Sequence, residues 1–196
     1  MPLILRIVAL LGLVLVAACT KPVVYAPEAE VIAARYQHPG PIEISVYNVI
    51  NNETGRGEHA ALLINAPSQR VLFDPAGSWN HPESPERHDV QYGMTPEQLH
   101  RYTYYHARRT HHVLILTLAV PPETAEYILR LAESYGPVPD AYCAKSIVAI
   151  LRQVPGFEFL RDSFQPNSLT DQLATIPGVT VERIYSDAEP TARQTY

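Results

Sequence analysis

Three residues of this 196-residue chain could together carry out acyl transfer: a thiol at Cys143, an imidazole at His59 and a carboxylate at Asp74. A thiol attacks carbonyl carbon only as the thiolate, and its ordinary pKa is about 8.5. Two devices lower it. The free N–H groups and the dipole of a helix start favour an anion. A neighbouring imidazolium also favours it, and that ring can later protonate the leaving group. Cys143 opens a stretch with helical apolar spacing at Ala144, Ile147, Val148 and Leu151. Asp140 or a neighbour is expected to cap that helix, which puts Cys143 near its third position. A carboxylate at Asp74 would hold the second ring nitrogen of His59 and fix its tautomer.

The elements that must position these groups follow from the pattern. Ile42–Ile50 alternates and is rich in β-branched residues, Glu58–Asn65 holds His59, and Arg70–Asp74 ends on the carboxylate; the three read as strands of an antiparallel meander. Asn51–Gly57 is the turn between the first two. Pro75–Gly93 reads as a long loop carrying Trp79, His81 and His88, and Trp79 is a candidate wall of a substrate cleft. Thr95-Pro96-Glu97-Gln98 is a helix start with an N-cap and a capping-box Gln, opening a helix to about Arg108. His112–Val120 is the most apolar strand and is expected at the centre of the sheet. Helices are expected over 121–136, 142–154 and from Asn167 or Ser168 to Ile176, with a last strand at 179–185. Strands mostly precede helices, which gives an α+β domain with an antiparallel sheet packed against helices.

The first residues read as an address. Met1–Arg6 carries one cation, Arg6, and Ile7–Ala18 is an unbroken apolar run of twelve residues. A spanning helix needs about 20; twelve fits the core of a secretory signal. The run ends Val16-Ala17-Ala18-Cys19, which resembles a bacterial lipobox with Val where Leu is usual. That resemblance implies removal of residues 1–18, lipidation of Cys19 (diacylglycerol and palmitate) and a membrane partner through that anchor. Thr20, where Asp would retain a lipoprotein at the inner membrane, favours the outer membrane facing the periplasm. Residues 19–41, with Pro22, Pro27, Pro39 and Pro41, read as a tether holding one helical turn around Glu28–Tyr36; 42–185 as the domain; and 186–196 as a flexible tail. With Cys19 lipidated, Cys143 has no intramolecular partner in an oxidising compartment. It is then a reactive thiol, an intermolecular bridge or a buried small hydrophobe.

Gly57-Glu58-His59-Ala60-Ala61-Leu62-Leu63-Ile64, then Val71-Leu72-Phe73-Asp74, then Tyr142-Cys143-Ala144-Lys145-Ser146-Ile147-Val148 together resemble the circularly permuted branch of the NlpC/P60 papain-like superfamily, which includes the lecithin:retinol acyltransferase-like proteins. His59 precedes Cys143, as the permuted order requires. Glu58 stands where Gly usually precedes the His, Asp74 where His or Glu is frequent, and Ala144 where Ser is common. The resemblance implies a papain-like fold and a thiol protease-like hydrolase working through an acyl-enzyme on Cys143, His59 and Asp74. It also implies an oxyanion hole made by the Cys143 N–H and a Tyr hydroxyl, either Tyr142 or Tyr47. For an exported member it implies peptidoglycan stem peptides as substrate. A lipid acyltransferase or thioesterase on the same triad, or a non-catalytic envelope binding lipoprotein, are the alternatives.

Other classes are excluded by composition. The formal net charge is −5, and no basic run exceeds Arg108-Arg109, so no nucleic-acid partner is expected. His100 and His106 are six apart and do not share a helical face as i,i+4 ligands would, His111-His112 are adjacent, and no paired-ligand motif occurs. No metal and no cofactor are therefore expected. The stretch Tyr102-Thr103-Tyr104-Tyr105 reads as packing.

Overall fold

The computed structural model describes residues 24–186. The expected signal segment, the lipidation site Cys19 and nearly all of the tail lie outside the described residues.

Seven strands form one antiparallel sheet: β1 (Glu43–Asn51), β2 (Gly57–Asn65), β3 (Arg70–Phe73), β4 (Glu86–Arg87), β5 (Val90–Gln91), β6 (His111–Ala119) and β7 (Thr180–Ile184). Their order is β4-β5-β3-β2-β1-β6-β7. Among the described residues five helices accompany them: α1 (Glu28–Ala34), α2 (Pro96–His106), α3 (Pro122–Tyr135), α4 (Cys143–Leu151) and α5 (Pro166–Leu173). The class is α+β.

Strand alternation sends successive side chains to opposite faces and so builds two cores. Ile44, Val46, Ala60, Leu62, Ile64 and Phe73 pack on one side with Ile128 and Leu129 of α3, Ile147 and Leu151 of α4, and Leu169 of α5. Tyr47, Ala61, Leu63, Leu72, Val113 and Ile115 pack on the other with Tyr102 of α2 and with Trp79 and Met94. The meander β1-β2-β3 pairs as its pattern dictates, Glu43 opposite Asn65 and Leu62 opposite Phe73. His59 shares its strand face with Ala61 and Leu63 and so belongs to the α2 side.

Three expectations are corrected. β6 is not central; β2 and β1 take the middle, and β6 lies between β1 and β7. Apolar composition reflects burial on both faces, not rank in the sheet, and the far end of β6 is only half-buried. The long loop after Asp74 contains the small hairpin β4–β5, turned by His88 (φ 46°) and Asp89 (φ 64°). A tight hairpin needs φ > 0 at both central residues, usually supplied by Asn-Gly or Asp-Gly, so His-Asp gave no turn signal. The described part of the expected tether is docked: the Ala26 N–H donates to the Glu86 carbonyl at 2.8 Å, Arg87 Nη1 donates to Glu28 Oε2 at 2.6 Å, and Val31 is buried. Among the described residues no helix is long and apolar enough to cross a membrane.

Candidate active site

The three chemically suggestive residues meet where β3 ends. β3 pairs with β2 only from Leu62 to Asn65. Beyond Phe73 the chain leaves the sheet, and the β2 backbone at Ala60 loses its neighbour on that side. The start of α4 fills the opening, where the backbone N–H groups of Ala60 and Ala144 favour a negative charge on the Cys143 sulfur. His59, one residue back along β2, lies close enough to the thiol for each group to shift the other's pKa. Its Nε2 lies 2.6 Å from Asp74 Oδ1, leaving Nδ1 for the sulfur.

Cys143 is the first residue of α4, not the third. The N-cap is Tyr142, not Asp140, and the Tyr142 side chain makes no capping hydrogen bond. Ala141 carries the turn into the helix at φ 68°, a left-handed conformation costing a non-glycine residue about 1 kcal/mol. The amides of the first turn have no acceptor within the helix and so favour an anion. The α4 interior is apolar and buried at Ala144, Ile147, Val148 and Leu151, and it anchors the nucleophile against β2.

Asp74 is held tightly. It is 2% exposed, and Oδ1 also accepts the Tyr102 hydroxyl at 2.7 Å. Its own N–H donates to the Asp89 carbonyl at 2.7 Å, and its carbonyl accepts the Gly77 N–H at 2.9 Å. A Cβ at position 77 would collide with the Asp74 carboxylate, so glycine is required by close approach.

The electrostatics follow from these contacts. Burial alone would depress the basicity of His59, but the charge and hydrogen bond of Asp74 and the partnership with Cys143 raise its pKa to about 10. Burial would push the Cys143 thiol up; the hydrogen bond and charge of His59, with the two backbone N–H groups, overcome it and hold the thiol below its ordinary value. Burial opposes ionisation of Asp74 too, yet His59, His106 and Tyr102 keep its carboxyl below the usual range. All three shifts act in the direction of a thiolate–imidazolium pair backed by a carboxylate.

The two tyrosines expected as oxyanion donors diverge. Tyr47 is buried under α2, and burial raises its pKa. It belongs to the core, because its position in β1 points it to the α2 face. Tyr142 directly precedes the nucleophile, and its exposed ring meets Phe164 edge to face at 4.9 Å. Trp79 is buried, with its ring edge-on to Tyr102 at 5.5 Å and stacked near His81. It lines a cleft of about 760 Å³ with Tyr25, Gly77, His81, His88 and Val138. Cys143 and His59 do not line this cleft. It adjoins the site through Gly77, which packs on Asp74, and through Asp89, whose carbonyl accepts the Asp74 N–H, so it flanks the reacting groups and does not contain them.

Two participants escaped the sequence reading. Tyr102 is not merely packing, since it donates to the site carboxylate. His106 lies over His59 with ring centroids 5.3 Å apart and an interplanar angle of 22°, and it meets Tyr102 edge-on at 4.7 Å. Burial, first, and the neighbouring His59 charge lower its pKa to about 4. Tyr102 and His106 are i,i+4 on α2 and therefore share a face, which is the signal that could have found them. His59, Asp74 and His106 each offer a ligand atom, all within 4.8 Å of one another. Nevertheless, the 2.6 Å between His59 Nε2 and Asp74 Oδ1 is a hydrogen-bond distance, shorter than the ~3.3 Å between donors around tetrahedral zinc. The group is packed to share a proton.

The chain matches no family model, no curated protein and no solved structure.

Proposed function

We propose that this protein is an envelope lipoprotein of permuted papain-like fold that hydrolyses amide bonds through a thioester on Cys143, with peptidoglycan stem peptides as substrate. The observation that carries the reading is the linkage of Cys143 to His59 and of His59 to Asp74, residues 84 and 15 positions apart in sequence. Support for the envelope setting comes from the lipobox-like Val16-Ala17-Ala18-Cys19, which would anchor the chain at the outer membrane facing the periplasm.

In this mechanism the Cys143 thiolate attacks the amide carbon, and the carbonyl π electrons move to oxygen. The Cys143 backbone N–H, at the first helical position, donates to that oxyanion. As the tetrahedral intermediate collapses, the C–N bond breaks and the departing nitrogen takes the proton from His59 Nδ1. A thioester remains and the imidazole is neutral. Water then attacks the thioester, gives its proton to His59, and releases the carboxylic acid product with the thiolate restored. Asp74 keeps Nε2–H engaged throughout, so Nδ1 always faces the sulfur.

The test is incubation with purified sacculi followed by mass analysis of released material. New stem-peptide termini made by the wild type and absent with Cys143→Ala are the expected result. Acyl chains transferred between lipids, with sacculi intact, would assign the lipid acyltransferase reading. Neither product, together with a slow thiol, would leave a binding lipoprotein.

A further inference from the structure

Next to the nucleophile lies a side-chain cluster that the hydrolytic mechanism does not use. Tyr142 is 41% exposed and Phe164 is 50% exposed, unusual for two large rings in mutual contact. Lys145 Nζ stands 4.9 Å from the Phe164 centroid and 5.7 Å from that of Tyr142. Among the described residues its ammonium meets these rings and no carboxylate.

The position of the lysine runs against local preference. Lys145 is the third residue of α4, where a cation opposes the helix dipole at a cost of about 0.3–1 kcal/mol. The first turn of α4 has no acidic residue to offset it. Cation–π contact with two rings fixes the ammonium in place, and Tyr142 is bonded directly to the residue carrying the nucleophile. The outcome is a positive charge over an exposed apolar shelf at the end of the helix where the thiol sits.

We infer that Tyr142, Phe164 and Lys145 form a substrate subsite for an anionic group, a carboxylate on the molecule whose acyl carbon Cys143 attacks. This rests on the thiol chemistry proposed above and adds a substrate class to it. One ammonium balances one negative charge, which suits a carboxylate and not a phosphate dianion. The rings supply apolar contact for the carbon skeleton bearing it.

The test needs no natural substrate. Cys143 is alkylated in the full chain by iodoacetate, which is anionic, and by iodoacetamide, which is neutral, and the ratio of the two rate constants reads the field met by an incoming anion. The wild-type ratio is expected to exceed that of glutathione. Lys145→Met, which keeps the apolar stem and removes the charge, is expected to lower it about threefold, and Lys145→Arg to retain it. An unchanged ratio in Lys145→Met would overturn the subsite. Protection against iodoacetamide is compared in parallel: N-acetylalanine is expected to protect the wild type better than inorganic phosphate does. Equal or better protection by phosphate would overturn the carboxylate assignment. Slow alkylation of the wild type by both reagents would instead remove the thiol chemistry, and the subsite with it.

Discussion

His59 Nε2 and Asp74 Oδ1 are 2.6 Å apart, and the same oxygen accepts the Tyr102 hydroxyl at 2.7 Å. One buried carboxylate oxygen thus fixes the imidazole from β2 and the phenol from α2. The orientation of the ring that meets Cys143 depends on this shared acceptor.

Asp74→Asn keeps the shape and removes the charge. The amide would no longer hold the Nε2–H tautomer reliably, and a loss of turnover on the order of 10²–10⁴-fold is expected. The raised pKa of His59 depends on Asp74. In this variant the pH at which His59 loses its proton therefore moves down from about 10 toward the ordinary value, as a histidine NMR titration would show.

Tyr102→Phe removes one hydrogen bond to a buried charge. A stability loss of about 1–3 kcal/mol is expected by urea unfolding, because the carboxylate keeps its burial and loses a donor. An unchanged midpoint would mean that the carboxylate gains nothing from this phenol.

His106→Phe and His106→Ala separate ring contact from nitrogen chemistry. The ring over His59 limits its motion and its access to water. Phenylalanine is expected to retain most of the Cys143 alkylation rate near pH 6, and alanine to lose about tenfold. Equal loss in both variants would assign a direct role to the His106 nitrogens.

Gly77→Ala places a methyl group against the Asp74 carboxylate. Asp74 must shift to accept it, so turnover is expected to fall by about 10²-fold while the far-UV spectrum is retained, a displacement of the order of 1 Å being sufficient for such a loss.

Much of this site was legible in the sequence, though unevenly. Alternation placed His59 on a strand facing the core, the apolar stripe after Cys143 announced its helix, and Asp74 stood at a strand end. Thr95 does cap α2, accepting the Gln98 N–H at 3.2 Å. The Gln98 side chain, by contrast, binds Glu83 and does not complete the box, because a nearby loop carboxylate competes for it. The docking of α1 was not legible, since one buried Val31 in seven residues leaves almost no periodic signal. Nor was the role of His106, which exists only once α2 crosses the mouth of β2. Tyr47 looked like a site residue by type, and its exclusion required knowing which face of β1 packs under α2.

The central claim is that Cys143 is a thiolate held by His59. Its most direct test is the pH dependence of iodoacetamide alkylation at Cys143, with His59→Ala as the comparison. Because the thiol pKa is lowered, the rate is expected to reach its plateau below the pH at which an ordinary thiol ionises. In His59→Ala the curve is expected to move upward in pH, since burial alone raises the thiol pKa. A wild-type profile that follows an ordinary thiol, or one that His59→Ala leaves in place, would contradict the pairing and the hydrolase built on it.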